Sequence, residues 1–219
     1  HDDFLRSAIR AIELSEALSD ARMMADDLQW LSLAYESLGQ TDRSVEMSRK
    51  ALFLLTTTGD SAAMGNGMLH LLNALVAAGR FNEVIEQGEH ALSYYATKND
   101  SVGQASVWAR SAEALLAQGR PADALPLLHR AEKVLAVAGA QEERFRVLSD
   151  LSEAYLALQR TDRSRDFLGT AMSMAGTLGL RSQKPRLLKL SSRLYEAEGD
   201  LANALADERA FTALEEGTD

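Results

Sequence analysis

The sequence predicts an all-α fold, a right-handed α-solenoid of stacked antiparallel helix pairs, and two observations carry that expectation. Gly39, Gly79 and Gly119 stand 40 residues apart, Gln159 takes the next slot, and Gly199 restores the glycine. Ala51, Ala91, Ala131 and Ala171 keep the same interval, with Ala11 one period earlier and Phe211 one period later. Within each period the apolar residues recur at i, i+3 and i+4 in two runs, one on each side of the glycine slot. A helical period of 3.6 nested in a fixed longer period is the signature of supersecondary units that bury their faces only by stacking on one another. The chain therefore divides into 1–20, the second helix of a truncated repeat, and five helix pairs at 21–60, 61–100, 101–140, 141–180 and 181–219, forming one continuous domain.

In the opening segment Phe4, Leu5, Ala8, Ile9, Ala11 and Ile12 form a broad apolar stripe. It aligns with the second helix of the later repeats, so its first partner is missing. Either this helix folds back on the next pair or it marks a truncated domain or an end-to-end self-contact. The chain begins at His1 rather than Met and shows no charged-then-apolar leader, so a piece of a longer protein without an export signal is expected.

The first full pair carries Met24, Leu28, Leu31, Ala34, Tyr35 and Leu38, with Asp20 as its N-cap. Gly39 stands where a helix end favours left-handed backbone. Thr41 and Asp42 are expected to cap and charge the second helix, which holds Val45, Met47, Ala51, Leu52 and Leu55, and the run TTTGD at 56–60 is expected to end it. Helices of about 16 residues, each roughly 24 Å long, follow from this spacing. The second pair repeats the plan but contains Gly65, Gly67 and Gly88; a helical glycine costs about 1 kcal/mol relative to Ala, so close helix approach is the leading expectation, ahead of a locally loose backbone or ligand access. The third opens its second helix with Pro121, and Pro126 is expected to bend that helix or delay its start. In the fourth, Gln159 makes the inter-helix turn the least relaxed of the five. In the fifth, Pro185 belongs to the first helical turn.

These residues resemble the tetratricopeptide repeat family. The resemblance rests on a large residue early in the first helix (Leu28, Met68, Trp108, Leu148, Leu188), a small-residue slot facing the partner helix (Ser32, Leu72, Ala112, Ser152, Ser192), Tyr a turn later (Tyr35, Tyr155, Tyr195), glycine at the break and alanine in the second helix. Departures are Leu75 and Leu115 in the Tyr slot, Ser44, Val84 and Ser164 at the first alanine of the second helix, and no terminal proline. The 40-residue unit exceeds the family's usual length of about 34, and the extra residues are expected to lengthen helices and the inter-repeat loop. Long units of this kind resemble the sensory and regulatory arrays of bacterial signalling proteins. The closing stretch 202–219 is similar to the lead-out of arrays that precede diguanylate cyclase domains.

Composition narrows the function further. A formal net charge of −9 disfavours nucleic acid and anionic lipid, and no apolar run approaches the roughly 20 residues that span a bilayer. The absence of cysteine excludes disulfides and a thiolate nucleophile and is compatible with the cytoplasm, the expected location. No phosphate loop, GxGxxG or GxSxG occurs, and His1, His70, His90 and His129 fit no metal spacing. No catalytic residue, cofactor or metal is expected.

A concave face lined by the first helices is the expected ligand site. Aligning the repeats places Asp26, Gln29 and Leu33; Asn66, Leu69 and Asn73; Ser106, Ala109 and Glu113; Arg146, Ser149 and Glu153; and Arg186, Lys189 and Arg193 there. Asparagine bonds both groups of an extended peptide backbone and arginine clamps a carboxylate at two points, so a protein or peptide segment with its acidic end toward the fourth and fifth repeats is expected. The same charges also read as solvated surface. The function implied is a non-catalytic protein-binding sensory or regulatory module, and the alternative is a self-assembling scaffold or homodimer joined through its terminal helices.

Overall fold

The computed structural model describes residues 2–215, with side chains at 6–214; over these the chain forms eleven α-helices and one 3-10 turn, and no strand. Phe4 and Leu5 of the expected first stripe, as side chains, and His1 and residues 216–219 lie outside the described residues. The helices are α1 (Asp2–Leu18), α2 (Ala21–Ser37), α3 (Thr41–Thr58), α4 (Ser61–Ala77), α5 (Phe81–Thr97), α6 (Ser101–Ala117), α7 (Pro121–Ala138), α8 (Gln141–Ala157), α9 (Thr161–Leu178), α10 (Lys184–Glu198) and α11 (Leu201–Glu215), with the 3-10 turn Arg181–Gln183 before α10. The chain comprises two compact units, His1–Ala114 and Leu115–Asp219. In the first, α1 packs on α2, α2 on α3, α3 on α4 and α4 on α5, while α2 also touches α4. In the second, α7 packs on α8, α8 on α9, α9 on α10 and α10 on α11, while α8 also touches α10. Within each unit consecutive helices thus pair, and α2 lies beside α4 in the first and α8 beside α10 in the second.

The chain turns every 20 residues, half the sequence period. Ser19, Gly39, Gly59, Gly79, Asn99, Gly119, Gly139, Gln159, Gly179 and Gly199 all have positive φ, from 53° at Asn99 to 80° at Gly199. After Gly39 the Gln40 N–H donates to the Tyr35 carbonyl at 2.8 Å and the Gly39 N–H to Glu36 at 2.9 Å, the paired bonds that satisfy a helix's last carbonyls. The same bonds recur from Arg80 to Leu75, Arg120 to Leu115, Arg160 to Tyr155 and Asp200 to Tyr195. Gln159 adopts φ 58° without glycine's freedom, as its place in the series leads one to expect. The starts of α2, α4 and α6 share a second device: Asp20, Asp60 and Asp100 each accept the backbone N–H three residues on, from Met23, Ala63 and Gly103.

Three expectations need correction. The units exceed 34 residues because α2 to α9 are 17 or 18 residues long, not because the inter-repeat loops are; those are connections of two or three residues such as 59–60, 98–100 and 139–140. Thr41 does not cap α3, which starts at Thr41 behind Gln40, and Gln40 makes no side-chain cap bond. The run TTTGD does end the pair, α3 stopping at Thr58 before the left-handed Gly59, with the Thr56, Thr57 and Thr58 hydroxyls donating to the carbonyls of Phe53, Leu54 and Leu55. Pro126 does not delay α7, which begins at Pro121 and runs through it. Pro185 stands in the first turn of α10, as expected.

Close packing explains the glycines of the second pair. A Cβ on Gly65 would meet the Tyr95 ring at 3.0 Å, one on Gly67 would meet Leu55 at 2.7 Å, and one on Gly88 would meet the Ser111 hydroxyl at 2.8 Å. Gly103 on α6 is tighter still, its Cβ falling 2.2 Å from the same tyrosine ring. Tyr95 is buried, and burial pushes its hydroxyl well above the usual phenol range. Around it Leu71, Leu72, Leu75, Val84 and Val107 form one contiguous core. The small-residue slot serves a different end in the other pairs. The Ser32 hydroxyl lies 2.9 Å from the Ser44 carbonyl and 2.8 Å from the Ser48 hydroxyl, Ser152 bonds Ser164 in the same way, and Ser192 donates to the Ala204 carbonyl at 3.0 Å. A hydroxyl in this slot lets two helices approach closely while leaving no buried oxygen unbonded.

Candidate functional site

The first helices of the pairs create the faces on which the expected site residues stand. In the first unit these are α2, α4 and the part of α6 before residue 115. Asp26, Gln29, Asn73 and Glu113 are half-buried and Asn66 is exposed. Gln29 reaches α4, its amide nitrogen 3.7 Å from where a Cβ on Gly67 would stand. Glu113 accepts a bond from Arg110 at 2.7 Å on its own helix, so its carboxylate already has a partner.

Position 29 and its equivalents vary along the chain: Gln29 and Leu69 are half-buried, Ala109 is buried, Ser149 is fully buried with its hydroxyl donating to the Phe145 carbonyl at 3.0 Å, and Lys189 is exposed. One residue further on stand Trp30, His70 and Arg110, the last two half-buried. Trp30 is 59% exposed, an unusual position for that side chain. Burial pushes the His70 imidazole below its ordinary value, and the negative charge of Asp26 opposes that shift. Burial likewise raises the Glu36 carboxyl, with Arg110 acting against it. Asp26 and Glu36 on α2, His70 on α4 and Arg110 on α6 thus form an alternating acid-base track across three helices. A sequence signal for it existed, since residues i and i+4 share a helix face.

In the second unit α8 and α10 present the basic stripe already half neutralised. Arg186 donates to the buried Asp150 carboxylate at 2.5 Å and lies 3.8 Å from Glu153, while Arg193 lies 3.3 Å from Glu153. Asp150 is 5% exposed as a side chain, so it requires the guanidinium; Glu153, at 38%, meets water. Arg146 and Lys189 are exposed, and the Lys189 ammonium sits 6.0 Å from the centre of the Phe211 ring. Arg186 and Arg193 are thus paired with Asp150 and Glu153, while the other two cations of the expected stripe are exposed, on a chain whose net charge is −9. No three His, Asp or Glu side chains gather in a metal-binding arrangement among the described residues. Among the same residues no helix is long and apolar enough to cross a membrane.

No protein-family model matches the sequence, and no curated protein matches it. Solved structures do. The crystal structure of BtubC (BKLC) from P. vanneervenii superposes with a TM-score of 0.79 at 17% identity, over 99% of this chain and 91% of that one. A putative kinesin light chain with nearly identical TPR-like repeats, from Podosopora anserina, gives 0.63 at 22% identity over 86% and 94%. Aspartyl phosphate phosphatase F from Bacillus subtilis gives 0.63 at 11% identity over 95% of this chain and 68% of that one. The fold of this chain is that of the tetratricopeptide-like repeat arrays.

Proposed function

We propose that this chain is a non-catalytic protein-interaction module in which the α8–α10 face docks an acidic protein segment. The observation that carries this reading is the exposed Arg193–Glu153 pair beside Lys189: a ligand carboxylate displaces Glu153, which returns to water, while Arg186 stays with Asp150 and keeps the fold. Replacing one carboxylate by another at Arg193 adds the attraction of Lys189 and Arg146 without stripping a buried partner. In the first unit Gln29, Asn66 and Asn73 are the donors and acceptors for an extended backbone, with Asp26 beside them. The likeness to aspartyl phosphate phosphatase F supports a sensory or regulatory role in a bacterial signalling protein, where a bound segment alters the array and so its output, such as a diguanylate cyclase domain.

Selection of random dodecapeptides on the purified chain tests the chemistry. Enrichment of peptides with clustered Asp and Glu is the expected result; peptides without acidic bias, or none, would overturn the α8–α10 assignment.

A second reading, self-assembly through the terminal helices, is favoured by one observation. Ile9, Leu14 and Leu18 on α1 are 42%, 52% and 67% exposed, and Leu201 and Leu205 on α11 are 70% and 52% exposed. Light scattering over a hundredfold concentration range separates the readings: a constant monomer mass removes assembly.

A further inference from the structure

The repeat supplies its own internal controls, and they single out a cavity in the second unit. Three successive second helices place a large apolar side chain at one slot, Leu55, Tyr95 and Leu135, each 5% exposed or less. In α9 the same slot holds Ala175, and the next position holds Gly176 where Thr56, Ala96 and Ala136 stand in the other helices. A cavity of about 400 Å³ opens there, floored by the buried Leu187 and Leu188 of α10 and walled by Met172. Nothing in the packing requires the glycine: a Cβ on Gly176 would meet no atom within 4 Å, in contrast to Gly65, Gly67, Gly88 and Gly103. A mid-helix glycine costs about 1 kcal/mol, and Gly176 lines the cavity.

Charge gives the cavity a polarity. Arg181 and Lys184 stand at its rim, and no carboxylate lines it, in a chain with 32 acidic and 23 basic residues. The larger apolar cavity between α1, α2 and α3, about 650 Å³, lacks that character, because Glu16 is in its wall. We infer that the cavity between α9 and α10 binds a small amphipathic anion, an apolar body seated on Leu187 and Leu188 in the space left by Ala175, with its carboxylate or sulfonate against Arg181 and Lys184. The volume lies in the range of small-molecule pockets, and an apolar lining with few convergent charges is their usual chemistry. The site is separate from the α8–α10 charged face and does not rest on that reading.

The test uses 8-anilinonaphthalene-1-sulfonate fluorescence with the full chain, decanoate as competitor and decyltrimethylammonium as the cationic control. The expected result is saturation at one dye per chain, displacement by decanoate and none by the cation. Ala175→Leu, which introduces the residue that α3 and α7 hold at this slot, should weaken dye binding by about tenfold or more through loss of the buried apolar area. Gly176→Met, on the exposed side of the mouth, should do the same and serves as the second variant if Ala175→Leu loses helicity by circular dichroism. Arg181→Gln with Lys184→Gln should weaken it about fivefold, the size expected of partly exposed charges. Absence of dye binding to the wild type, binding unchanged in the helical filled variants, or equal displacement by the cation would overturn the proposal.

Discussion

Gln159 holds a left-handed backbone that glycine occupies at seven other turns of this chain. A side chain in that region is strained by about 1 kcal/mol, part of which glycine gives back through the entropy of the unfolded chain. Gln159→Gly should therefore raise the unfolding free energy by about 0.5–1 kcal/mol, measured as a higher urea midpoint at unchanged slope; a lower midpoint would show that the turn is held by contacts of the Gln side chain instead. A second residue-scale consequence concerns His70. Its folded value is depressed by burial, so below the ordinary histidine value the unfolded chain binds the extra proton first. This group's contribution to stability is complete above about pH 6.5 and is lost as pH falls through the depressed folded value. His70→Gln should flatten the stability-against-pH curve between pH 6.5 and 5 in thermal melts; an unchanged slope would place the titration elsewhere.

Helix-to-helix fit is governed by a few contacts that no single helix reveals. Gly103 on α6 exists because the Tyr95 ring of α5 fills the space a methyl group would need, at 2.2 Å. Gly103→Ala should destabilise by about 1–3 kcal/mol through overpacking, and Tyr95→Leu, the residue type found at Leu55 and Leu135, should recover part of that loss in the double variant. Additive losses in a double-mutant cycle would contradict this pairing. The same reasoning shows what a sequence can disclose. The 40-residue period, the turn glycines and the Asp20 cap were legible because each answers to a local rule about backbone conformation or unpaired N–H groups. The 20-residue half-period was hidden because Ser19, Asn99 and Gln159 adopt the turn conformation without being glycine. The burial of Ala109 and Ser149 was not legible, since the equivalent Gln29 and Lys189 are half-buried and exposed. The pairing of Arg193 with Glu153 joins side chains 40 residues apart, outside any helix rule but inside the repeat: the two occupy the same slot with opposite sign.

For the molecule as a whole, stability is built from contacts between neighbouring helices, and its function reading rests on what the first helices leave open. Arg186 belongs to the fold through Asp150, so reversing it would confuse binding with folding; Arg193 and Lys189 are exposed and separable from it. Electrostatic docking to such residues weakens with salt, because exposed charges are screened within about 8 Å at physiological ionic strength. The most direct measurement is the dissociation constant, by fluorescence anisotropy, of an acidic dodecapeptide selected on the wild-type chain, compared with the Lys189→Glu, Arg193→Glu variant. Docking on α8–α10 predicts a loss of about tenfold or more in the variant, equivalent to about 1.4 kcal/mol, and a weaker wild-type affinity as salt rises. Equal affinity for the two proteins, insensitive to salt, would contradict it.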